Sequence, residues 1–152
     1  MKPCSRYPLL FLILVFLLAG ILASCAQAGG GQPKPTPAPA PLAGKSNLTG
    51  RLLAKKDGAP LADVMVRLAQ VYRQNGEGAF VLDLARSPGI HTDASGYFLI
   101  RDFDPNEYFL VVGDPDNNHY WIVQDSDTKP ISYKTEKDKV LDIGTLKADY
   151  VP

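Results

Sequence analysis

Cysteine is nearly absent from this chain of 152 residues: there are two, Cys4 and Cys25, and both lie at the N-terminal end. The long remainder can therefore form no internal disulfide and no thiolate metal cluster, even in a compartment that permits disulfides, so its stability has to come from a hydrophobic core. Histidine is as sparse, with only His91 and His119 available as conventional bases, and neither has a nucleophile signature nearby. The chain contains no Gly-x-Ser-x-Gly, no His-Glu-x-x-His and no glycine loop for phosphates, which removes the familiar hydrolase, zinc-protease and nucleotide-binding signatures. An excess of one charge is missing too, since 16 Lys and Arg balance 16 Asp and Glu. No basic surface field is implied, and nucleic acid is not an expected partner.

One long hydrophobic run is present. Lys2 and Arg6 precede an apolar segment from Leu9 to Ala23, which has the length of a cleaved signal rather than of a membrane span of ~20 residues. It closes on Leu22-Ala23-Ser24-Cys25, an aliphatic residue, two small residues and a cysteine, which resembles the lipobox of bacterial lipoprotein precursors. The resemblance implies that residues 1–24 are removed and that Cys25 becomes residue one, carrying a diacylglyceryl thioether and an N-acyl chain. Several acyl chains anchor stably where one binds only marginally. An ordinary secretory signal is the alternative. Loss of Lys2 and Arg6 leaves the mature chain with a net charge of about −2. The expected location is extracytoplasmic, on the cell membrane or the outer membrane; in a host with two membranes, Ala26 in place of the aspartate linked to inner-membrane retention points by analogy to the outer one.

Residues 25–46 read as the lipidated cysteine and a tether. Ala28 to Gly31 is small and glycine-rich, and Pro33, Pro35, Pro37, Pro39 and Pro41 alternate with Lys, Thr and Ala. Such a run favours polyproline II at ~3.1 Å per residue, so the whole segment could hold a domain up to roughly 60 Å from the lipid. From Asn47 the periodicity becomes two, through Leu48, Gly50 and Leu52, then Val64, Val66 and Leu68, then Phe98 and Ile100, then Tyr108, Leu110 and Val112. Turn chemistry separates these runs, at Asp57-Gly58-Ala59-Pro60, Asn75-Gly76, Ser87-Pro88-Gly89, Asp93-Ala94-Ser95-Gly96, Asp104-Pro105-Asn106 and Gly113-Asp114-Pro115. Alternation over short runs predicts half-buried strands, near 47–54, 63–73, 79–86, 96–103, 107–113, 119–124 and 139–146. The expected fold is all-β, a seven-stranded prealbumin-like, Ig-like β-sandwich over residues 47–152, with Asn75-Gly76 turning a hairpin between the second and third strands.

The order Gly50-x-Leu52, Gly58-Ala-Pro60-Leu-Ala-Asp-Val64-x-Val66-x-Leu68, Thr92-Asp93-Ala-Ser-Gly96-Tyr-Phe98-x-Ile100 and Pro105-Asn106-Glu-Tyr108-x-Leu110 resembles a carboxypeptidase regulatory-like domain. The resemblance spans about residues 48–112 and implies a non-catalytic module that spaces, packs or binds. Gly96 suits a tight turn into the next strand, and Asn106 stands where that family usually has glycine, a position suited to the left-handed conformation that Asn tolerates. Tyr108 is expected to bury its ring at a sheet corner while its hydroxyl finds a backbone partner. The stretch from Tyr72 to Ile90 exceeds the minimal loop and predicts a projecting hairpin. Related activities lack their residues: Val112 replaces the buried acid of self-crosslinking adhesin repeats and the last strand has no Asn, while the ending Ala-Asp-Tyr150-Val-Pro152 differs from the Tyr-Arg-Gly-Ser of hydroxyisourate hydrolases. No enzyme activity and no cofactor is expected.

Asp114, Asp116 and Asn118 resemble the opening of a calcium loop, with Asp125 at the twelfth position, but His119 replaces the required glycine and the following residues read as a strand, so a helix-flanked calcium loop is rejected. If successive strands run antiparallel, the loops at 55–62, 87–96 and 113–118 share the end of the sandwich opposite the tether. Asp57, His91, Asp93, Asp114, Asp116 and Asn118 are then the candidate residues for a cation or a polar ligand, against the alternative of solvated turn residues. The expected partners are the membrane, through Cys25, and an envelope or extracellular protein or glycan. A stabilising accessory subunit of an envelope complex is the other expectation, and an exposed apolar patch would favour it over a polar groove with aromatics.

Overall fold

In the computed structural model the described residues are 37–75 and 77–150; the expected signal segment, Cys25 and the first part of the expected spacer lie outside them. Among the described residues no helix is long and apolar enough to cross a membrane. The fold is an all-β sandwich. In one sheet β1 (Ser46–Ala54) is central, with β5 (Tyr97–Phe103) antiparallel on one side and β9 (Lys139–Ala148) parallel on the other. The second sheet centres on the antiparallel pair β2 (Met65–Gln74) and β6 (Glu107–Asp114), in the register Leu68↔Leu110.

Among the described residues, nine strands replace the expected seven because each outer strand of the second sheet comes in two pieces. β3 (Glu77–Val81) and β4 (Gly89–His91) pair with successive parts of the outer edge of β2, while β7 (His119–Ile122) and β8 (Ser132–Lys134) do the same along β6. The expected strands at 79–86 and 119–124 are thus cut short, and 89–91 and 132–134 are additional. Aspartates supply the physical reason. Asp83 Oδ1 accepts the amides of Ala85 and Arg86 at 3.0 and 3.2 Å, and Asp125 Oδ1 accepts those of Asp127 and Lys129 at 2.9 and 3.0 Å. Side-chain bonds of this kind offer the backbone an alternative to the ladder, so the chain turns out of the sheet and re-enters it. The hairpin at Asn75 forms as expected: Gln74 pairs with Glu77, and Asn75 takes the left-handed conformation at φ 53°.

The alternating positions do form the core. Leu48, Leu52, Val66, Leu68, Phe98, Ile100, Tyr108, Leu110 and Val112 are all buried in one cluster between the sheets, joined by Leu61, Val64, Phe103, Val123 and Ala148. Gly50 faces the same way, and its missing side chain leaves room for Phe98 and Ile143, either of which a Cβ would meet within 3 Å. Trp121 packs on this cluster while its neighbour Tyr120 is exposed, as alternation requires. The central strands β2 and β6 are apolar on their other face as well, where Ala69, Val71 and Val111 are buried and Phe80 meets Phe109 edge to face at 5.6 Å. The three-stranded sheet carries a left-handed residue and a register shift in each outer strand, Asp102 in β5 and Gly144 in β9. Such bulges disrupt free edges and oppose addition of a further strand.

Tyr108 behaves as expected. Its ring is buried against Phe103, edge to face at 5.4 Å, and its hydroxyl donates to the carbonyl of Asp104 at 2.6 Å. Burial, reinforced by the Asp104 carboxylate, pushes the phenol up to about 12 from an ordinary 10. The folded state therefore holds this proton where the unfolded chain releases it, so this contribution to stability is full below pH 10 and is lost as pH rises through 10 towards 12. Tyr108→Phe is expected to cost about 1 kcal/mol at neutral pH through the lost hydrogen bond and to flatten the alkaline fall in stability. Thermal unfolding of both proteins from pH 8 to 12 checks this; parallel curves would contradict it.

Asn106 is a correction, for it is not among the left-handed residues. Thr135 holds it instead: the Asn106 amide donates to Thr135 Oγ1, and its carbonyl accepts both the amide and the hydroxyl of Thr135, each at 2.9 Å. The bridge fixes the corner without an unusual backbone.

The described part of the spacer is also corrected. Strand pairing begins at Ser46, and the residues before it are bound to the domain: Asn47 Nδ2 donates to the Pro39 carbonyl at 2.9 Å, and the amides of Leu42 and Gly44 donate to Asp102 and Asp138 at 2.7 and 2.6 Å. Any free spacer therefore ends near Pro39 instead of Ser46.

Candidate functional site

Strand directions decide which loops meet. β1 and β9 run the same way, β2 and β5 run back, and β6 runs with β1. The segments 55–64, 92–96 and 115–118 and residues 149–150 therefore share one end, and the spacer joins the other.

An open cleft of about 350 Å³ lies at the spacer-distal end. Its polar lining is Asp63, Arg67, His91, Asp114, Asp116 and Tyr150, over Val64, Met65 and Leu84. Three of the six expected residues, His91, Asp114 and Asp116, are brought together here. Asp57, Asp93 and Asn118 are not part of the lining and serve their own turns. Asp57 Oδ1 accepts the Ala59 amide at 3.0 Å, and Asp93 Oδ1 accepts those of Ser95 and Tyr97 at 2.8 and 2.9 Å. Asn118 closes the 115–118 turn from the left-handed conformation, φ 54°, its amide donating to the Pro115 carbonyl.

Each wall has a local cause. Asp63 sits at φ 55° because Thr92 clamps the chain around it. The Thr92 hydroxyl donates to the Leu61 carbonyl at 2.6 Å and accepts the Val64 amide at 3.0 Å, while the Asp63 amide donates to the Thr92 carbonyl. His91 ends β4 opposite Met65, so strand pairing carries it to the rim. The Arg67 guanidinium donates to the Leu84 carbonyl at 3.1 Å, tying the 82–88 segment to the side of the cleft. Gly113, at φ 101°, lets the Tyr150 ring lie directly on the backbone, where a Cβ would stand 2.5 Å from that ring; Tyr150 also stacks on His119 at 4.8 Å.

The Asn117 amide, donating to Asp114 Oδ2 at 2.5 Å, holds the Asp114 carboxyl below its ordinary range, helped by the amides of Asp116 and Asn117 and by His119. Asp114 is thus ionised and already occupied by its own loop. Among the described residues no three of His, Cys, Asp and Glu are grouped to hold a metal. What remains is a cleft with carboxylate acceptors, a guanidinium, an imidazole and an aromatic wall, a set suited to a polar organic group.

Sequence reading missed Asp63, Arg67 and Tyr150. Arg67 and Tyr150 lie in a strand and near the C-terminus, away from the turn chemistry that drew attention to the other residues. Only the left-handed Asp63, in the run Leu61-Ala62-Asp63-Val64, carried a turn signal that could have found it.

No protein-family model and no curated protein matches the chain. Among solved structures it is similar to a 9R-lipoxygenase from Cyanothece PCC8801, with 21% identity over 92% of this chain and 20% of that one at a TM-score of 0.42. It is similar also to the major pilin subunit of Bacillus cereus, with 8% identity over 68% of this chain and 29% of that one at 0.41. A DUF3823 family protein from Bacteroides uniformis shows 14% identity over 68% of this chain and 42% of that one at 0.40. The chain spans less than half the length of each, and likeness at this level says nothing of activity; the sandwich stands on its own strand pairing.

Proposed function

We propose that this chain is a lipid-anchored protein of the cell envelope, held through Cys25 on the extracytoplasmic side, whose sandwich is a non-catalytic module that binds a polar ligand at its spacer-distal end. The ligand class is a glycan or a short polar segment of an envelope protein. The observation that carries this reading is the cleft bounded by Asp63, Arg67, His91, Asp116 and Tyr150, which faces away from the point of attachment and combines hydrogen-bonding groups with an aromatic wall. A second reading, an accessory subunit covered by a protein partner, is favoured by the apolar outer face around Phe80, Phe109 and Tyr120.

Thermal unfolding of the mature chain carrying Cys25→Ser, against a panel of envelope glycans and peptides, tests the first reading. A ligand at a hundred times its Kd adds about 2.7 kcal/mol, which is expected to raise Tm by about 10 °C or more, and His91→Ala with Asp116→Asn should abolish the rise. Calcium and chelator are expected to leave Tm unchanged. A ligand effect that survives in the double variant would move the site elsewhere, and a flat response to the whole panel would transfer support to the accessory-subunit reading.

A further inference from the structure

Among the described residues, the six large apolar side chains left exposed are distributed unevenly. Leu42, Tyr72, Phe80 and Val81, at 66, 54, 42 and 52% exposure, lie in the half of the domain that the spacer joins. The pairing Gln70↔Tyr108 places the start of β6 opposite Val71, so the β2–β3 hairpin runs on past it. At ~3.3 Å per residue the three residues from Tyr72 to Gln74 project roughly 10 Å, and they do so at the spacer end. Leu42 is fixed at this end as well, because its amide is bound to Asp102, which borders a cleft of about 360 Å³ shared with Tyr72 and Val81 and floored by Leu68, Phe103 and Tyr108.

Resting on the lipid-anchor reading above, we propose that this end is a membrane-contact edge: the β2–β3 hairpin and the Leu42 turn dip into the headgroup region of the bilayer that holds Cys25. Three observations commit the patch to lipid. Pro39, where the chain becomes bound to the domain, lies only fourteen positions beyond Cys25, so a span of at most roughly 50 Å joins lipid to protein and the spacer end is the face presented to it. The side chains suit an interface, since Tyr carries an apolar ring with a polar tip and Arg73 lies beside them on the same hairpin, able to keep its charge in the headgroups. Finally, two of the charges beside the patch are already paired, Lys45 with Asp104 at 2.8 Å and Arg73 with Glu107, so contact relies on apolar insertion more than on anionic lipid. Four side chains hold a free domain weakly, but a short linker converts the contact into an intramolecular event at an effective concentration of order mM.

The test uses the mature chain with Trp121→Phe, into which Tyr72→Trp or Tyr120→Trp is placed, so that a single indole reports either the spacer end or the opposite end. Each protein is anchored on phosphatidylcholine vesicles with brominated chains, through its native lipids or through Cys25 coupled to a maleimide headgroup. Quenching is expected to be at least threefold stronger for Tyr72→Trp than for Tyr120→Trp, to fall when Leu42→Ser and Val81→Ser are added, and to change little with salt. Equal, weak quenching at the two sites would overturn the proposal. The intact mass of the cell-made protein separately reports whether Cys25 is acylated: an unmodified cysteine would refute the anchor, while quenching of the maleimide-coupled protein still decides whether this edge meets lipid.

Discussion

Gly96→Ala is expected to destabilise the domain by about 2–5 kcal/mol, the sum of a left-handed penalty of ~1–2 kcal/mol and an overpacking cost of ~1–3 kcal/mol. Gly96 has φ 78°, and an added Cβ would run into the carbonyl oxygen of Leu52 in the neighbouring strand. That oxygen is not free to move, because it accepts the Leu61 amide at 3.1 Å while Leu52 in turn donates to the Gly96 carbonyl at 2.8 Å. Relief requires separating β1 from the 93–96 turn, which would also loosen the Leu61–Val64 segment leading to the cleft. Tm should fall by about 8 °C or more, at roughly 4–8 °C per kcal/mol for a domain of this size. Ala94→Gly in the same turn is the control, since Ala94 is exposed and makes no such contact. A Gly96→Ala protein as stable as wild type would show that the turn is not held against β1.

The second large effect is expected from Asn47→Ala, at about 2–6 kcal/mol, because two groups lose their partner at once at ~1–3 kcal/mol each. Asn47 is fully buried; its Oδ1 accepts the Asp102 amide at 2.8 Å and its Nδ2 donates to the Pro39 carbonyl. Asp102 is left-handed at φ 56°, so its amide is turned out of the strand ladder towards Asn47. Removing the amide side chain therefore weakens the β5 bulge and releases the spacer from the domain together. Hydrogen exchange reads both: faster exchange at Asp102 and at Leu42–Lys45 is expected, with the β2–β6 pair unchanged relative to global stability. Asn47→Asp should cost at least as much, since it replaces the donor to Pro39 with a buried charge. Loss of stability without any change at Leu42–Lys45 would mean that the spacer is held independently of Asn47.

Much of the core was legible because side-chain direction in a strand alternates with a period of two. Leu48 and Leu52, Val66 and Leu68, and Leu110 and Val112 declare their inward face locally, and the structure buries each of them. Tyr108 was legible for a related reason, since a Tyr after an Asp-Pro-Asn turn enters the sheet at a corner where its hydroxyl can reach back four residues. Ala69, Val71 and Val111 broke the alternation, and their burial on the second face depends on neighbouring strands that the sequence does not name. The interruption at Asp83 falls inside the expected strand 79–86, where an edge strand tolerates a break that a central strand does not, whereas Asp125 lies just beyond the expected strand 119–124.

Of the expected site, His91, Asp114 and Asp116 meet in one cleft while Asp57 and Asp93 satisfy amides of their own loops. An aspartate in a turn has the same sequence signature in either role, so composition alone could not sort them. The sequence by itself determined the all-β class, the inward face of the central strands and the turns between them, because each follows from interactions between residues a few positions apart. The expectations of an N-terminal signal and of a lipidated Cys25 rest on local pattern as well, and both lie outside the described residues. Tertiary structure alone decided that Tyr150 closes on Gly113, that Arg67 reaches Leu84, and that Asn47 ties Pro39 to Asp102. Those contacts join positions from 8 to 55 residues apart, and the pairing of β1 with β5 and β9, and of β2 with β3, β4 and β6, brings together the elements that carry them.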